Sequence, residues 1–152
     1  MTSSQPPQAA GFPRSMNIFE EIKKLNLPAG KYVVVGSGAM AARGIRDAGD
    51  VDVLVTQDVF DSLERGGDWR LEIRSDGQKV IKRGICEICT DFTCGRYQPD
   101  SGEMIQNADI INGIPFMKLD ELVKFKTELG REKDLKDIEL IQNYLKKTQT
   151  KT

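Results

Sequence analysis

The chain has 152 residues, and its 22 basic and 23 acidic side chains leave a formal net charge of −1, so no global field draws it to a nucleic-acid backbone. No apolar run approaches the roughly 20 residues of a membrane-spanning helix, and the first residues lack the apolar core of a signal peptide, so a cytoplasmic protein is expected. The length suits one domain with a real core and is short for an enzyme with a separate substrate domain.

In chain order, residues 1–14 are Ser, Gln, Pro, Ala and Gly with little to bury, and read as a disordered tail. Ile18, Phe19, Ile22 and Leu25 form the apolar stripe of a helix over 15–27, with Ser15 or Asn17 as its cap and Glu20 and Glu21 in its first turn. Residues 31–35 are aromatic or β-branched after Lys31 and lie between two glycine turns, which predicts a short buried strand. A helix over 39–45 follows, and 50–55 resumes as a strand with Asp50 and Asp52 on one face and Val51 and Val53 on the other. A helix is predicted over 58–65. Strands over 69–73 and 79–81 flank Ser75, Asp76 and Gly77, a turn with hairpin chemistry. Trp69 reads as a packing residue at the rim of the sheet.

The next predicted strand, 84–92, carries Ile85, Glu87, Cys89 and Asp91 on one face. Residues 95–112 are loop-rich, with a helical turn near 104–108, and are either a flap or an ordinary connection. A final hairpin or edge strand is expected over 110–116, where Pro115 argues against a central position. Helices over 118–129 and 133–147 close the domain, taken as 15–147, and 148–152 is a tail. The expected fold class is α/β (α+β): a mixed central sheet flanked by helices, with 32–35, 50–55 and 85–90 as neighbouring strands.

Three chemical elements stand out. Two carboxylates on one face, Asp50 and Asp52, repel each other, and a divalent cation is the usual remedy; hard oxygens suit Mg²⁺, which fills its other positions with water and substrate phosphate. The turn Gly36-Ser37-Gly38 before a helix offers backbone N–H groups and a hydroxyl to a phosphate chain. Glu87, a carboxylate within an apolar strand, needs a partner because an unpaired buried charge is costly. Cys86 and Cys89 have a zinc or redox spacing, but residues three apart on a strand face opposite ways. With Cys94 as the one further thiol and no histidine, a four-ligand zinc site of Cys and His cannot be completed, so buried reduced thiols are expected.

Gly36-Ser37, a short helix and then Asp50-x-Asp52 on a strand resemble the signature of the nucleotidyltransferase superfamily that includes DNA polymerase beta. The stretch from Val34 to Val55 is similar to small bacterial nucleotidyltransferase-like proteins related to the AbiEii toxins. The later block from Ile114 through Pro115, Leu119, Leu122, Lys126 and Arg131 to Lys133, Asp134, Asp137 and Ile138 resembles the way such proteins close. The resemblance spans about 32–145. It implies a minimal nucleotidyltransferase fold in which Asp50 and Asp52 bind Mg²⁺ (or Mn²⁺). Glu87, or Asp91 as second candidate, would be the third catalytic and metal-binding carboxylate. Gly36 and Ser37 would hold the β- and γ-phosphates, with Lys126, Arg131 and Lys133 contributing cations to the triphosphate.

The implied activity is metal-dependent transfer of a nucleoside monophosphate from an NTP, ATP being the first expectation, to a hydroxyl acceptor on RNA, a protein or a small molecule. From another class, the fold could serve as a catalytically weak module in nucleotide sensing or as a toxin–antitoxin-type partner protein. The residues 33–41 also match Gly-x-Gly-x-x-Ala after a strand, a weak dinucleotide-binding signal, but Asp50 follows Gly36 sooner than the expected interval of about 20 residues.

Overall fold

The computed structural model describes residues 17–149. Its elements are α1 (Ile18–Leu25), β1 (Tyr32–Val35), α2 (Ser37–Ala41), β2 (Val51–Val55), α3 (Gln57–Arg65), β3 (Arg70–Ile73), β4 (Lys79–Arg83) and β5 (Cys86–Cys89). There follow α4 (Ser101–Gln106), β6 (Asp109–Ile111), β7 (Ile114–Phe116), α5 (Leu119–Leu129) and α6 (Glu132–Gln149). The strands form one mixed sheet in the order β3-β4-β5-β2-β1-β7-β6. β5, β2 and β1 are neighbours, as expected. β1 runs antiparallel to β2, whereas β2 is parallel to β5 and β1 to β7. That antiparallel pair removes the dinucleotide reading, which requires parallel strands on either side of the glycine turn.

The register sorts side chains into faces. Val34, Val53, Ile88 and Ile81 lie in one row across four strands, and Val35, Asp52, Glu87 and Lys82 in the next. Residues one apart on a strand point to opposite sides, so the two rows belong to opposite faces. Helices α1 and α2 cover the first. A Cβ on Gly38 would come within 2.8 Å of Val34 Cγ1 and 3.2 Å of Ile18 Cδ1, so the short helix settles this close because the residue is glycine. Phe19 meets Phe116 edge-on, ring centroids 5.7 Å apart. The second row opens on a cleft whose far wall is α5 and α6.

Several boundaries differ from the sequence expectation. Asn17 caps α1, its side chain accepting from the Glu20 N–H; Ser15, residues 1–14 and residues 150–152 lie outside the described residues. α2 occupies Ser37–Ala41 instead of 39–45, because the N–H groups of Arg43 and Ile45 both turn back to the Met40 carbonyl. β4 runs on through Lys82 and Arg83 because both pair with β5. β5 stops at Cys89, and Phe92 leaves the sheet to stack on Phe125 at 4.0 Å. α4 starts at Ser101, where the Asp100 side chain accepts from the Glu103 N–H. α6 continues through Thr148 and Gln149.

The expected last hairpin is present, with Asn112 and Gly113 both at positive φ between β6 and β7. Yet Pro115 lies on an internal strand, since β7 pairs with both β6 and β1. The pairing with β1 is confined to Val34↔Phe116, one residue past the proline, so that ladder does not call on the missing N–H. The start of segment 95–112 is tied to α5: Tyr97 Oη donates to Glu121 at 2.8 Å and the Arg96 N–H to Glu128 at 2.9 Å. Trp69 sits half-buried at the rim under the Arg83 guanidinium, 4.4 Å from the ring centroid. Among the described residues no helix is long and apolar enough to cross a membrane.

Candidate functional site

Asp52 is the one partly exposed residue of the otherwise buried strand β2, and Asp50 lies just before the strand's first residue. The glycine bend comes to meet them. Gly36 has φ 71° and ψ −145°, a backbone open in practice to glycine alone, and a Cβ there would lie 3.3 Å from Asp52 Oδ2. Ser37 Oγ is 3.5 Å from Asp50 Oδ1, at the long limit of a hydrogen bond. Asp50 and Asp52 thus stand on the same side of the strand, against the bend. The Gly36 N–H donates to the sulfur of Met117 at 3.4 Å.

These residues line one wall of a cleft of about 660 Å³, and the structure brings all eight sequence-derived candidates to it: Gly36, Ser37, Asp50, Asp52, Glu87, Lys126, Arg131 and Lys133. Its lining carries five acidic and five basic side chains. Most are paired. On the helical wall, Arg46 forks onto Asp137 with bonds of 2.7 and 2.8 Å, and Lys126, 6 % exposed, lies 2.8 Å from Asp137 and 3.5 Å from Asp134. Arg131 in turn forks onto Asp134 at 2.6 and 3.1 Å. Lys126 and Arg131 are therefore already held by carboxylates. Lys133 alone among the lining cations makes no ion pair among the described residues.

Glu87 is the register partner of Asp52, and its carboxylate is held by cations. Arg74 donates to its carboxylate, and Lys82 Nζ stands 3.4 Å away on the neighbouring strand. Asp91, the second candidate, does not line the cleft; its carboxylate accepts from Thr93 Oγ1 and its carbonyl from Gln78. The apolar part of the lining comes from Cys89, Phe92, Phe125 and Leu129. Cys86 and Cys89 belong to opposite faces, beside Val51 and Leu54, and burial pushes the Cys89 thiol up to about 12, so it is un-ionised. Arg46, Arg74 and the two phenylalanines are lining residues that the sequence did not single out; their partners are distant in the chain, and no local pattern marks them.

Asp52 has an unusual carboxyl. Burial, and then the charge of Asp50, push it up to about 6 against the smaller pull of Arg74 and Lys82. No cation contacts it among the described residues. Hard oxygens from Asp50 and Asp52, side by side and short of positive charge, fit one divalent ion of the magnesium class. Among the described residues, no group of three or more His, Cys, Asp and Glu side chains is arranged to hold a metal ion. With Glu87 paired to Arg74, Asp50 and Asp52 are the two carboxylates left beside the glycine bend. No family model, curated protein or solved structure matches the chain.

Proposed function

We propose that the chain is a metal-dependent nucleotidyltransferase of the cytoplasm. It would move a nucleoside monophosphate from an NTP, ATP first, to a hydroxyl on RNA, a protein or a small molecule. The observation that carries this reading is the pair Asp50 and Asp52, set against the Gly36–Ser37 bend, with the Asp52 carboxyl raised by burial and by the charge of Asp50. Asp50 and Asp52 would hold Mg²⁺ or Mn²⁺, which supplies charge neutralisation to the substrate phosphates when bound.

The chain's own groups divide the remaining work. Ser37 Oγ donates to a terminal phosphate oxygen, and Lys133 faces the same charge as a point cation. Lys126 and Arg131 are balanced by Asp134 and Asp137 and are not free forks, so the positive surplus of the helical wall comes from Arg46 and Lys133. The apolar end at Phe92, Phe125 and Leu129 suits the base. Acceptor oxygen attacks the α-phosphorus, that P–O bond forms as the bond to pyrophosphate breaks, and Glu87 takes the acceptor proton once it leaves Arg74. Three free thiols agree with a reducing compartment.

The test is transfer from labelled NTPs with Mg²⁺ over a panel of RNA, protein and small-molecule hydroxyl acceptors. Ser37→Ala, Asp50→Ala and Asp52→Asn should each reduce transfer by about 100-fold or more; full activity in either aspartate variant overturns the assignment. A second reading draws on Glu87 being held by Arg74 and Lys82: a module that binds nucleotide but transfers weakly, in nucleotide sensing or as a toxin–antitoxin-type partner. Calorimetric NTP binding without transfer to any acceptor selects it, and turnover excludes it.

A further inference from the structure

The sheet ends at β3, and among the described residues no strand lies outside it. Arg74, just past β3, donates its N–H to the Gln78 carbonyl at the start of the return into β4. Bonded and non-bonded pairs alternate along an antiparallel ladder, so Glu72 and Arg70, opposite Val80 and Lys82, also bond inward. The N–H and C=O groups of Leu71 and Ile73 therefore point out of the sheet edge. The side chains are open as well, Leu71 41 % exposed and Ile73 65 %. An edge of this kind is a template for one more strand.

Its sequence is complementary to itself. Residues 68–74 read Asp-Trp-Arg-Leu-Glu-Ile-Arg. Laid antiparallel on a second copy and centred on Leu71, the segment sets Leu71 on Leu71 and Trp69 on Ile73 along one face, and Arg70 on Glu72 and Asp68 on Arg74 along the other. Every opposed pair is apolar on apolar or acid on base. The central pair is also one whose backbone groups point outward in both copies, so its two N–H···O bonds can form. Centring on Arg70 or on Glu72 instead opposes like charges, which is unfavourable. The other edge of the sheet lacks the pattern: centring β6 on Ile110 sets Asp109 against Ile111.

We infer that β3 is the interface of a symmetric dimer, in which two copies of this chain join edge to edge into one continuous sheet. The two-fold axis stands perpendicular to the sheet, so both copies turn their cleft face to the same side. Arg70 and Glu72, 2.8 Å apart within one copy, become a ring of four alternating charges across the axis. The seam is seven residues a side, well below the roughly 20–30 of a standard interface, so the dimer is weak and concentration-dependent. This inference stands apart from the nucleotidyltransferase reading.

The test is sedimentation velocity of the full chain over about 1–500 µM. Wild type should dimerise with a Kd of about 10–100 µM, and Leu71→Lys should stay monomeric throughout. Arg70→Glu sets acid against acid at both central polar pairs and Glu72→Arg sets base against base, so each should weaken self-association at least about tenfold. An equimolar mixture of these two variants should form a heterodimer as tight as wild type, because every opposed pair is again acid on base. Recovery on mixing is a result that damaged folding of either variant cannot produce. A wild type that is monomeric at every concentration overturns the inference, and so does a dimer that persists in Leu71→Lys. Failure of the mixture to recover overturns the register and this interface with it.

Discussion

A carboxyl pushed up to about 6 by burial and by the charge of Asp50 is protonated more readily in the folded chain than in the unfolded one. Below the ordinary value of 3.8 Asp52 is neutral in both states and costs nothing. As pH rises through the window from 3.8 to 6 the unfolded chain ionises first, so stability falls, and above 6 the loss is constant at about 2–3 kcal/mol. Asp52→Asn keeps the shape and removes the charge. It should raise Tm by about 5 °C at pH 7.5 and leave it unchanged at pH 4, measured by differential scanning calorimetry in metal-free buffer. Mg²⁺ acts on the same charge: it should raise the Tm of wild type at pH 7.5 and not that of Asp52→Asn. A melting temperature that falls in the variant would mean that Asp52 is a structural anion.

The elements that set this residue were readable where the reason is local. Strand alternation places Asp50 and Asp52 on one side, and the glycine bend follows β1 in sequence, so the acidic wall of the cleft could be read from a single stretch. Glu87 was readable as a carboxylate needing a partner. Its partner was not, because Arg74 meets it through the pairing of β3, β4 and β5, and strand order and register are properties of the sheet. The same distance hides Arg46 and Asp137, 91 residues apart. Helix α2 was misplaced for a related reason: it is held by contact with β1 and α1 and not by propensity, and five residues are too few to form alone.

That contact gives a prediction at the scale of the element. Alanine is better than glycine in a helix by about 1 kcal/mol, but at Gly38 its methyl would sit 2.8 Å from the Cγ1 of fully buried Val34. A branched side chain locked in a core cannot move aside, and overpacking of this kind costs about 1–3 kcal/mol. Gly38→Ala should therefore lower the urea midpoint, with m unchanged. Adding Val34→Ala should make the double variant more stable than the two single losses predict. If Gly38→Ala instead stabilises the chain, helix propensity and not close packing sets α2.

Taken as a whole, the molecule is a sheet whose acidic face is closed by α5 and α6, and the closure depends on one aspartate. Asp137 on α6 receives Arg46 from the loop between α2 and β2 and Lys126 from α5, so three parts of the chain meet at a single carboxylate. Burial works to raise its proton affinity, but the bonds from Arg46 and Lys126 outweigh burial and hold it down at about 2. A depressed value in the fold gives stability that is complete above the ordinary 3.8 and is lost as pH falls from there toward 2. Acid should consequently loosen the α5–α6 wall before neutral-pH denaturants do. Asp137→Asn leaves two cations facing an uncharged amide in a buried position, and removal of one partner from such a cluster costs about 3–5 kcal/mol. Urea unfolding at pH 7 should show that loss, and a series from pH 5 to pH 2 should show a shallower acid limb in the variant than in wild type. Asp134, held below the usual carboxylate range by Arg131 and Lys126 against its burial, keeps part of the slope in the variant. Equal acid limbs would show that the cluster does not couple the helices to the sheet, and that the cleft is held shut by apolar packing around Leu122 and Ile141 alone.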